Sequence, residues 1–273
     1  MIDQLLAFWA AATAYALATA LFFVALAFRR DGAARWGVAV AALGLVPHAA
    51  SLALRWREVG HGPFSSCYEV LSANAFVLVT FFLVAVLVTR ALRGLGALVL
   101  PVAFLLLGGA ATAFNVRQEV PIIFKSAWLY LHIAFAKAFG AAVILAAACA
   151  VVYLIKERDP SRLPRLPSPQ RADLYGHQFL LLAFLFLGVM IVAGSLWAYQ
   201  SWGRYWAWDP IETSSLTTWI AYGVILHFRL LHGWSGRRMA YLTLLAFLLM
   251  VVTIYVVVLV TPTIHNFYLV GRS

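Results

Sequence analysis

The chain has 273 residues, of which 64% are hydrophobic and 11% are charged, and its mean hydropathy is +0.90. Soluble domains carry roughly a quarter charged residues, so this composition excludes an ordinary soluble domain and indicates an integral membrane protein. The formal net charge of +10 is interpreted as a topology signal and an affinity for anionic lipid, which argues against nucleic-acid binding.

Eight apolar runs are long enough, at about 20 residues, to cross the hydrocarbon core of a bilayer. They lie near residues 5–28, 36–56, 68–90, 96–114, 128–155, 177–198, 210–231 and 239–260. Their length and lack of strict alternation predict an all-α fold, a polytopic bundle of about eight transmembrane helices. The first run is expected to remain in the protein, because it is too long for a signal peptide and carries Asp3.

Lys and Arg residues are concentrated in alternate connecting segments. With the N-terminus outside, the cytoplasmic segments contain Arg29, Arg30, Arg35, Arg90, Arg93, Lys156, Arg158, Arg162, Arg165, Arg171, Arg229, Arg237 and Arg238. The opposite segments contain Arg55, Arg57, Arg117, Lys125, Arg204 and Arg272. The positive-inside rule therefore predicts that both termini face the non-cytoplasmic side.

One hydrophobic block fills the chain, so residues 1–273 are expected to be a single integral membrane domain. The stretch 156–176 is rich in Pro and Arg and is interpreted as a flexible cytoplasmic connector. The two cysteines, Cys67 and Cys149, are predicted near opposite ends of the bilayer, too far apart for a disulfide.

Residues 202–213, WGRYWAWDPIET, follow the sixth span and are rich in aromatic rings. This stretch is predicted at the outer membrane–water interface, where Trp and Tyr can form a simple aromatic belt. Such a belt, however, spreads its rings around the bundle. Here the rings are concentrated at about 197–213, in Trp197, Tyr199, Trp202, Tyr205, Trp206 and Trp208. Such clustering favours a platform on which an apolar planar ligand stacks.

Asp209, Pro210 and Glu212 also have a structural interpretation. Asp at the N-cap, Pro at the first helical position and Glu at the third form a capping box, which predicts the start of the seventh helix. A helix start here would fix the geometry of the preceding loop, so the structural and ligand-binding interpretations are compatible.

Histidines supply candidate axial ligands, because an apolar planar ligand that needs nitrogen bases is a metalloporphyrin. His132 lies about one turn into the fifth span, and His265 lies beyond the last span. Both are predicted on the same side of the membrane as the aromatic loop, and they could approach it from two directions.

Other ionisable residues lie within the predicted spans, where they are functional candidates by default. A rise of about 1.5 Å per residue places His48 and His227 at unequal depths, which argues against one shared iron. Lys137 is expected to snorkel outward or to pair with an acidic group, a propionate included. The remaining histidines are interpreted as interfacial bystanders: His61, His177 and His232.

The aromatic loop resembles the signature WGxxWxWDxxE of the heme-handling "WWD" family of cytochrome c biogenesis proteins. The matching residues are Trp202, Gly203, Trp206, Trp208, Asp209 and Glu212. Three further segments resemble the CcsA/ResC branch of the second cytochrome c maturation system. They are the segment from Arg55 through GHGPFSSCYEVL, WLYLH around His132 and ILHFR around His227.

The resemblance implies that the loop binds heme b non-covalently, with His132 and His265 as axial ligands and His227 as a further ligand inside the membrane. Tyr205 and Arg204 are expected near the heme propionates at the polar rim. No family role transfers cleanly to His48, which stays a candidate because of its position.

The implied function is to bind heme, after passage from the cytoplasmic side, and to present it for covalent attachment to the CxxCH motif of an apocytochrome c. The chain would be a subunit of a cytochrome c synthase with a ResB/CcsB-like partner, in a bacterial plasma membrane or a thylakoid membrane. Thiol reductant proteins would take part only indirectly. Two alternatives remain open: a transporter that hands heme to a chaperone, as CcmC-type proteins do, and a b-type electron-transfer protein.

Overall fold

The chain is a multi-pass α-helical membrane protein. The computed structural model describes residues 2–113, 125–161 and 163–261, and within these ranges it contains helices and no strand. The α-helices are α1 (Ile2–Ala27), α2 (Asp31–Val59), α3 (Cys67–Val88), α4 (Gly96–Ala111), α5 (Ala127–Lys156), α6 (Pro169–Trp202), α7 (Pro210–His232), α8 (Arg237–Val251) and α9 (Val257–Val260). A 3-10 segment, Arg90–Leu95, precedes α4, and a π turn, Val252–Val256, joins α8 to α9.

Seven helical stretches of the described chain are long and apolar enough to cross a membrane. Five of them are α1, α2, α3, α5 and α6. The other two are Arg90–Ala111, which joins the 3-10 segment to α4, and Arg237–Val260, which runs from α8 through α9. The predicted seventh span does form a helix, α7, but its composition is too polar to meet the same measure. The reason is the polar sequence ETSSLTT near its start and the histidines and arginine near its end.

Local capping signals set the ends of α6. This helix begins at Pro169, because the Ser168 side chain accepts a hydrogen bond from the backbone N–H of Arg171 and Pro occupies the first helical position. It ends at Trp202, and the following C-cap residue, Gly203, has a φ of 71° in the left-handed region. The predicted connector 156–176 is therefore shorter than expected, since its last third is the first part of α6.

Close helix packing depends on small residues. α1 packs most closely on α2 and α5 on α6, and the buried face of α5 is rich in alanine. At Gly44 on α2, an added methyl group would lie 2.9 Å from the ring of the fully buried Tyr15 on α1. Such approaches are the usual basis of helix association in lipid, where no hydrophobic drive between helices exists.

A buried polar cluster joins α2 to the start of α3. Arg55 and Glu69 are 3% and 0% exposed, and the guanidinium Nε donates to the Glu69 carboxylate over 2.9 Å. The same carboxylate accepts bonds from the backbone N–H and the hydroxyl of Ser65, each 3.0 Å long. This cluster fixes the α2–α3 connection and with it the position of Cys67, which like Cys149 is a free thiol.

Replacing Glu69 with Ala is expected to destabilise the protein by about 3–5 kcal/mol, because it leaves the Arg55 guanidinium buried without its carboxylate. The measurement is the thermal unfolding midpoint of the purified protein in detergent. The control is Arg57→Ala, an exposed charged residue of the same helix α2, for which a change within about 0.5 kcal/mol is expected. Equal midpoints for the two variants would contradict the assignment.

Candidate functional site

A large cavity lies where α3, α5, α6, α7 and the π turn meet. Its volume is about 390 Å³, within the usual range for small-molecule and cofactor sites. Most of its wall is apolar and comes from α5 and α6 together with the aromatic loop. The part of the aromatic loop between α6 and α7 is residues 203–209, and we refer below to the end of the bundle that carries it as the loop end. The described site residues that line the cavity are His132, Trp202, Tyr205, Trp206 and Glu212.

His132 is held against α6 by a hydrogen bond to the backbone. Its Nδ1 lies 2.8 Å from the carbonyl oxygen of Met190. A carbonyl oxygen only accepts, so Nδ1 must carry the proton, and in the neutral imidazole the ring lone pair then lies on Nε2. A metal-ligating histidine is usually oriented in this way by a carbonyl or a carboxylate.

The close approach of His132 to α6 requires a glycine at position 194. A methyl group at Gly194 would lie 2.6 Å from Nδ1 and 3.0 Å from Cε1 of the imidazole. Both distances are too short for non-bonded atoms, so any larger residue would push the ring away from Met190. Gly194 and Met190 both line the cavity.

The indole rings form two contacting pairs at the loop end. Trp197 packs edge-on against Trp202 with ring centroids 4.9 Å apart, and Trp206 packs edge-on against Trp208 at 5.8 Å. Trp197, Trp202 and Trp206 line the cavity, whereas Trp208 is 70% exposed. The Nε1 donor of Trp206 is buried and has no hydrogen-bond partner in the described part of the chain. A buried donor of this kind requires an acceptor, which a ligand can supply.

Glu212 fixes the backbone of the aromatic loop. Its Oε2 accepts from the backbone N–H groups of Ala207, at 2.8 Å, and Asp209, at 3.2 Å. Between them, Trp208 has a φ of 58°, a left-handed conformation that costs a bulky residue about 1–2 kcal/mol. The predicted capping box is present, since the Asp209 side chain accepts from the backbone N–H of Glu212 while the Glu212 side chain accepts from that of Asp209. The Asp209 carboxylate also accepts from the N–H of Ile211 at 2.9 Å. Gly203 and Arg204 are exposed and do not line the cavity.

The π turn forms the wall that faces α3. Three consecutive residues, Thr253, Ile254 and Tyr255, line the cavity, and a π turn is a frequent feature of functional sites. The Thr253 hydroxyl lies 2.7 Å from that of Thr218 on α7, which ties the turn to the helix that follows the aromatic loop.

His265 lies outside the described residues, so its predicted role as an axial ligand stays a prediction. The last described residue, Thr261, is two positions after Leu259, which lines the cavity. His265 is four residues beyond Thr261, a reach of about 14 Å for an extended chain.

The two histidines predicted to lie inside the membrane, His48 and His227, are away from the cavity wall. The His227 ring is exposed on α7, with its centroid 5.6 Å from that of His232. His48 is fully buried between α1 and α3, with Nδ1 3.0 Å from the Tyr15 hydroxyl and Nε2 3.1 Å from the Ser72 hydroxyl. Both ring nitrogens of His48 are therefore engaged in hydrogen bonds between helices.

Several wall residues were missed by the sequence reasoning. An isolated glycine inside a helical run usually has a packing reason, which could have identified Gly194. Thr253 and Tyr255 are polar side chains in the otherwise apolar run VVTIYVVV, and this pattern could have identified the π turn. Met190 carries no such signal, because only its backbone carbonyl contacts His132.

With this geometry in place, comparison with known proteins gives the family. The profile described as "Cytochrome C assembly protein" matches residues 64–265, which include α3 and all later described helices. The chain belongs to the cytochrome c assembly protein family. This match includes every residue found above to line the cavity.

Several members of the family are similar to this chain over most of its length. The cytochrome c biogenesis protein CcsA of Trieres chinensis is 30% identical over 233 residues, which cover 72% of this chain and 74% of the relative. The protein of the same name from Gloeobacter violaceus is 26% identical over 318 aligned positions and covers 94% of both chains.

A solved structure, the cytochrome c heme lyase CcmF, has a similar fold. The TM-score is 0.73 and the sequence identity is 18%. The similarity covers 92% of this chain and 46% of CcmF, so this chain spans about half the length of that protein. At this identity the similarity establishes the shared fold alone.

The strained backbone at Trp208 gives a prediction in which the effect of backbone conformation on stability is separated from the effect of losing the indole ring. Trp208→Gly and Trp208→Ala both remove the indole, but only glycine adopts a positive φ without steric cost. The Gly variant is expected to be more stable than the Ala variant by about 1 kcal/mol. Thermal unfolding of the two purified variants tests this, and an Ala variant as stable as the Gly variant would show that the turn is not strained.

Proposed function

We propose that this protein binds heme in the cavity at the loop end and presents it for covalent attachment to the CxxCH motif of an apocytochrome c. One observation carries the proposal: an imidazole on the wall of an apolar cavity, protonated at Nδ1 by its bond to Met190 and therefore with its lone pair on Nε2. This is the tautomer that an axial ligand of heme iron needs.

The rest of the cavity fits a planar apolar molecule. Indole and phenol rings of Trp202, Tyr205 and Trp206 supply flat apolar walls, and the buried Nε1 of Trp206 supplies a donor for a polar atom of the ligand. Glu212 holds the loop in its strained shape, so these rings are positioned before the ligand enters. Gly203 is the C-cap of α6 and Asp209 is the N-cap of α7, and these two caps set the length of the loop.

His265 is the proposed second axial ligand. Leu259 lines the cavity, and His265 is six residues further along the chain, so even a fully extended segment keeps it within about 20 Å of Leu259. Two imidazoles from opposite sides would hold the iron in a low-spin state, and the aromatic walls would limit the access of water.

The placement of Lys and Arg residues supports an outward-facing site. With both termini on the non-cytoplasmic side, the loop end faces outward, where an exported apocytochrome c is available. The exposed Arg204 and Trp208 are at this face. His227 is at the other end of α7, and its exposed ring is the proposed contact for heme that enters from the cytoplasmic side, beside a ResB/CcsB-like partner subunit.

The chemistry of attachment belongs to heme and the acceptor. When bound, heme supplies two vinyl groups, across which the two acceptor thiols add to form thioether bonds. The contribution of this chain is to bind heme, orient it and exclude water. The chain is therefore proposed as the heme-presenting subunit of a cytochrome c synthase, in a bacterial plasma membrane or a thylakoid membrane.

The b-type electron-transfer alternative is disfavoured by the surroundings of His48. Both of its ring nitrogens bond to hydroxyl groups of Tyr15 and Ser72, so neither is oriented toward an iron. The transporter alternative would use the same cavity, and only the identity of the acceptor separates it from the synthase.

His132→Ala is expected to abolish the low-spin spectrum of heme bound to the purified protein, because the variant lacks the Nε2 ligand. The measurement is the visible absorption spectrum of the reduced protein. His232→Ala, which removes an exposed imidazole outside the cavity, is the matched control and should keep the wild-type spectrum. Loss of bound heme in His48→Ala, with His132→Ala unaffected, would favour the electron-transfer alternative instead.

Co-expression separates the synthase from the transporter. Covalent heme on a CxxCH protein should appear only when both this chain and its membrane partner are present. Heme transferred non-covalently to a chaperone, without that product, would support the transporter.

Gly194→Ala is expected to weaken heme binding by about 10- to 100-fold, because the added methyl group displaces His132 from the Met190 carbonyl that orients it. Titration of the purified protein with heme measures this. Gly140→Ala is the control on α5, since a methyl group there meets no described atom within 4 Å. Equal affinities for the two variants would show that the orientation of His132 does not matter.

A further inference from the structure

A chain of polar side chains inside the bundle connects α5 and α3 to the cavity. Lys137 Nζ donates to the Asn74 side-chain oxygen over 3.0 Å and to the Val70 carbonyl over 3.4 Å. The Asn74 amide nitrogen in turn donates to the Tyr255 hydroxyl over 3.3 Å. Within the described residues, Lys137 thus bonds to an amide and a backbone carbonyl of α3 and forms no ion pair with a carboxylate.

The chemistry of lysine fixes the direction of every bond in this chain. An ammonium group only donates, so the Asn74 oxygen must face Lys137 and its NH₂ group must face Tyr255. The Tyr255 oxygen accepts that bond, and the phenol proton is left to donate elsewhere. Since the bonds run in one direction from a positive charge, each polarises the next and makes the Tyr255 hydroxyl a stronger donor.

Tyr255 lines the cavity, whereas Asn74 and Lys137 lie behind it. The described lining residues include no Lys or Arg. The carboxylate of Glu212, which also lines the cavity, accepts from Ala207 and Asp209 and would repel an anion. Among the described residues, Tyr255 is therefore the cavity donor that is connected by hydrogen bonds to a positive charge.

We propose that Tyr255 donates a hydrogen bond to a carboxylate of the planar ligand, and that Lys137, acting through Asn74, is the positioning residue that supplies the compensating charge. This inference rests on heme as the proposed ligand. It orients the propionate edge toward the π turn within the membrane-spanning part of the chain, rather than toward Arg204 at the rim. A buried carboxylate needs such compensation, because its transfer from water is otherwise strongly unfavourable.

The test compares heme with its dimethyl ester, in which both carboxylates are blocked. Each compound is titrated into the purified protein in detergent and followed by visible absorption. The wild-type protein is expected to bind the diacid about tenfold or more tightly than the diester, since hydrogen bonds to charged groups are the stronger ones. Tyr255→Phe and Lys137→Met are expected to bring the ratio of the two affinities close to one.

Tyr241→Phe is the matched control, because it removes an exposed phenol hydroxyl from α8 outside the cavity, and it should keep the wild-type ratio. Tyr255→Phe is a small change that keeps the ring, so it tests the proposal even where Lys137→Met fails to fold. An unchanged ratio in Tyr255→Phe, or equal wild-type affinities for both compounds, would overturn the inference. Loss of discrimination in Arg204→Gln with Tyr255→Phe unchanged would place the carboxylates at the rim and overturn it as well.

The two proposals fail in different ways. If the wild-type protein binds neither compound, or if His132→Ala leaves the spectrum of bound heme unchanged, the proposed heme site fails. If heme binds through His132 but Tyr255→Phe leaves the ratio of the diacid and diester affinities unchanged, only the proposed orientation of heme fails.

Discussion

The hydrogen bond from His132 to the Met190 carbonyl is the interaction on which the site depends. It joins α5 to α6 across 58 positions of sequence and decides which ring nitrogen keeps a lone pair. It forms only because Gly194 lets the imidazole lie directly on the α6 backbone. The extensive packing of α5 on α6 thus has a chemical consequence, since it fixes the orientation and the tautomer of a histidine on the cavity wall.

The aromatic loop is a strained segment stabilised by a single carboxylate. Glu212 bonds to N–H groups on both sides of Trp208, and the same residue completes the capping box that starts α7. Strain of this kind persists only where the surrounding structure over-determines it, and it is concentrated at functional sites. The helix-start and ligand-binding interpretations of Asp209 and Glu212 are therefore two aspects of one arrangement, in which the start of α7 holds the rings at the cavity.

The polar groups buried in the bundle fall into two sets with different surroundings. Arg55 bonds to Glu69, and His48 bonds to hydroxyl groups on α1 and α3. These bonds lie away from the cavity and join α1, α2 and α3. Lys137 and Asn74 lead to Tyr255 on the cavity wall. Position within a predicted span made both His48 and Lys137 functional candidates. Their hydrogen-bond partners distinguish them, because those of His48 join helices away from the cavity whereas those of Lys137 lead to the cavity wall.

Local interactions explain what was predictable here. Spans, helix caps and the capping box at Asp209 depend on residues a few positions apart, so hydropathy and turn chemistry predicted them, apart from the early start of α6 and the polarity of α7. The sequence also drew attention to His132 and to the aromatic ring cluster, most of which the structure places on one cavity wall, because such residues are unusual near the end of a span. Three features were not predictable from the sequence. They are the common cavity wall of His132 and Tyr255, the bond of His132 to a backbone carbonyl, and the bonding of both ring nitrogens of His48. Each of these arises from contacts between helices far apart in the chain, and no pattern along one helix encodes which carbonyl or hydroxyl its neighbour will present.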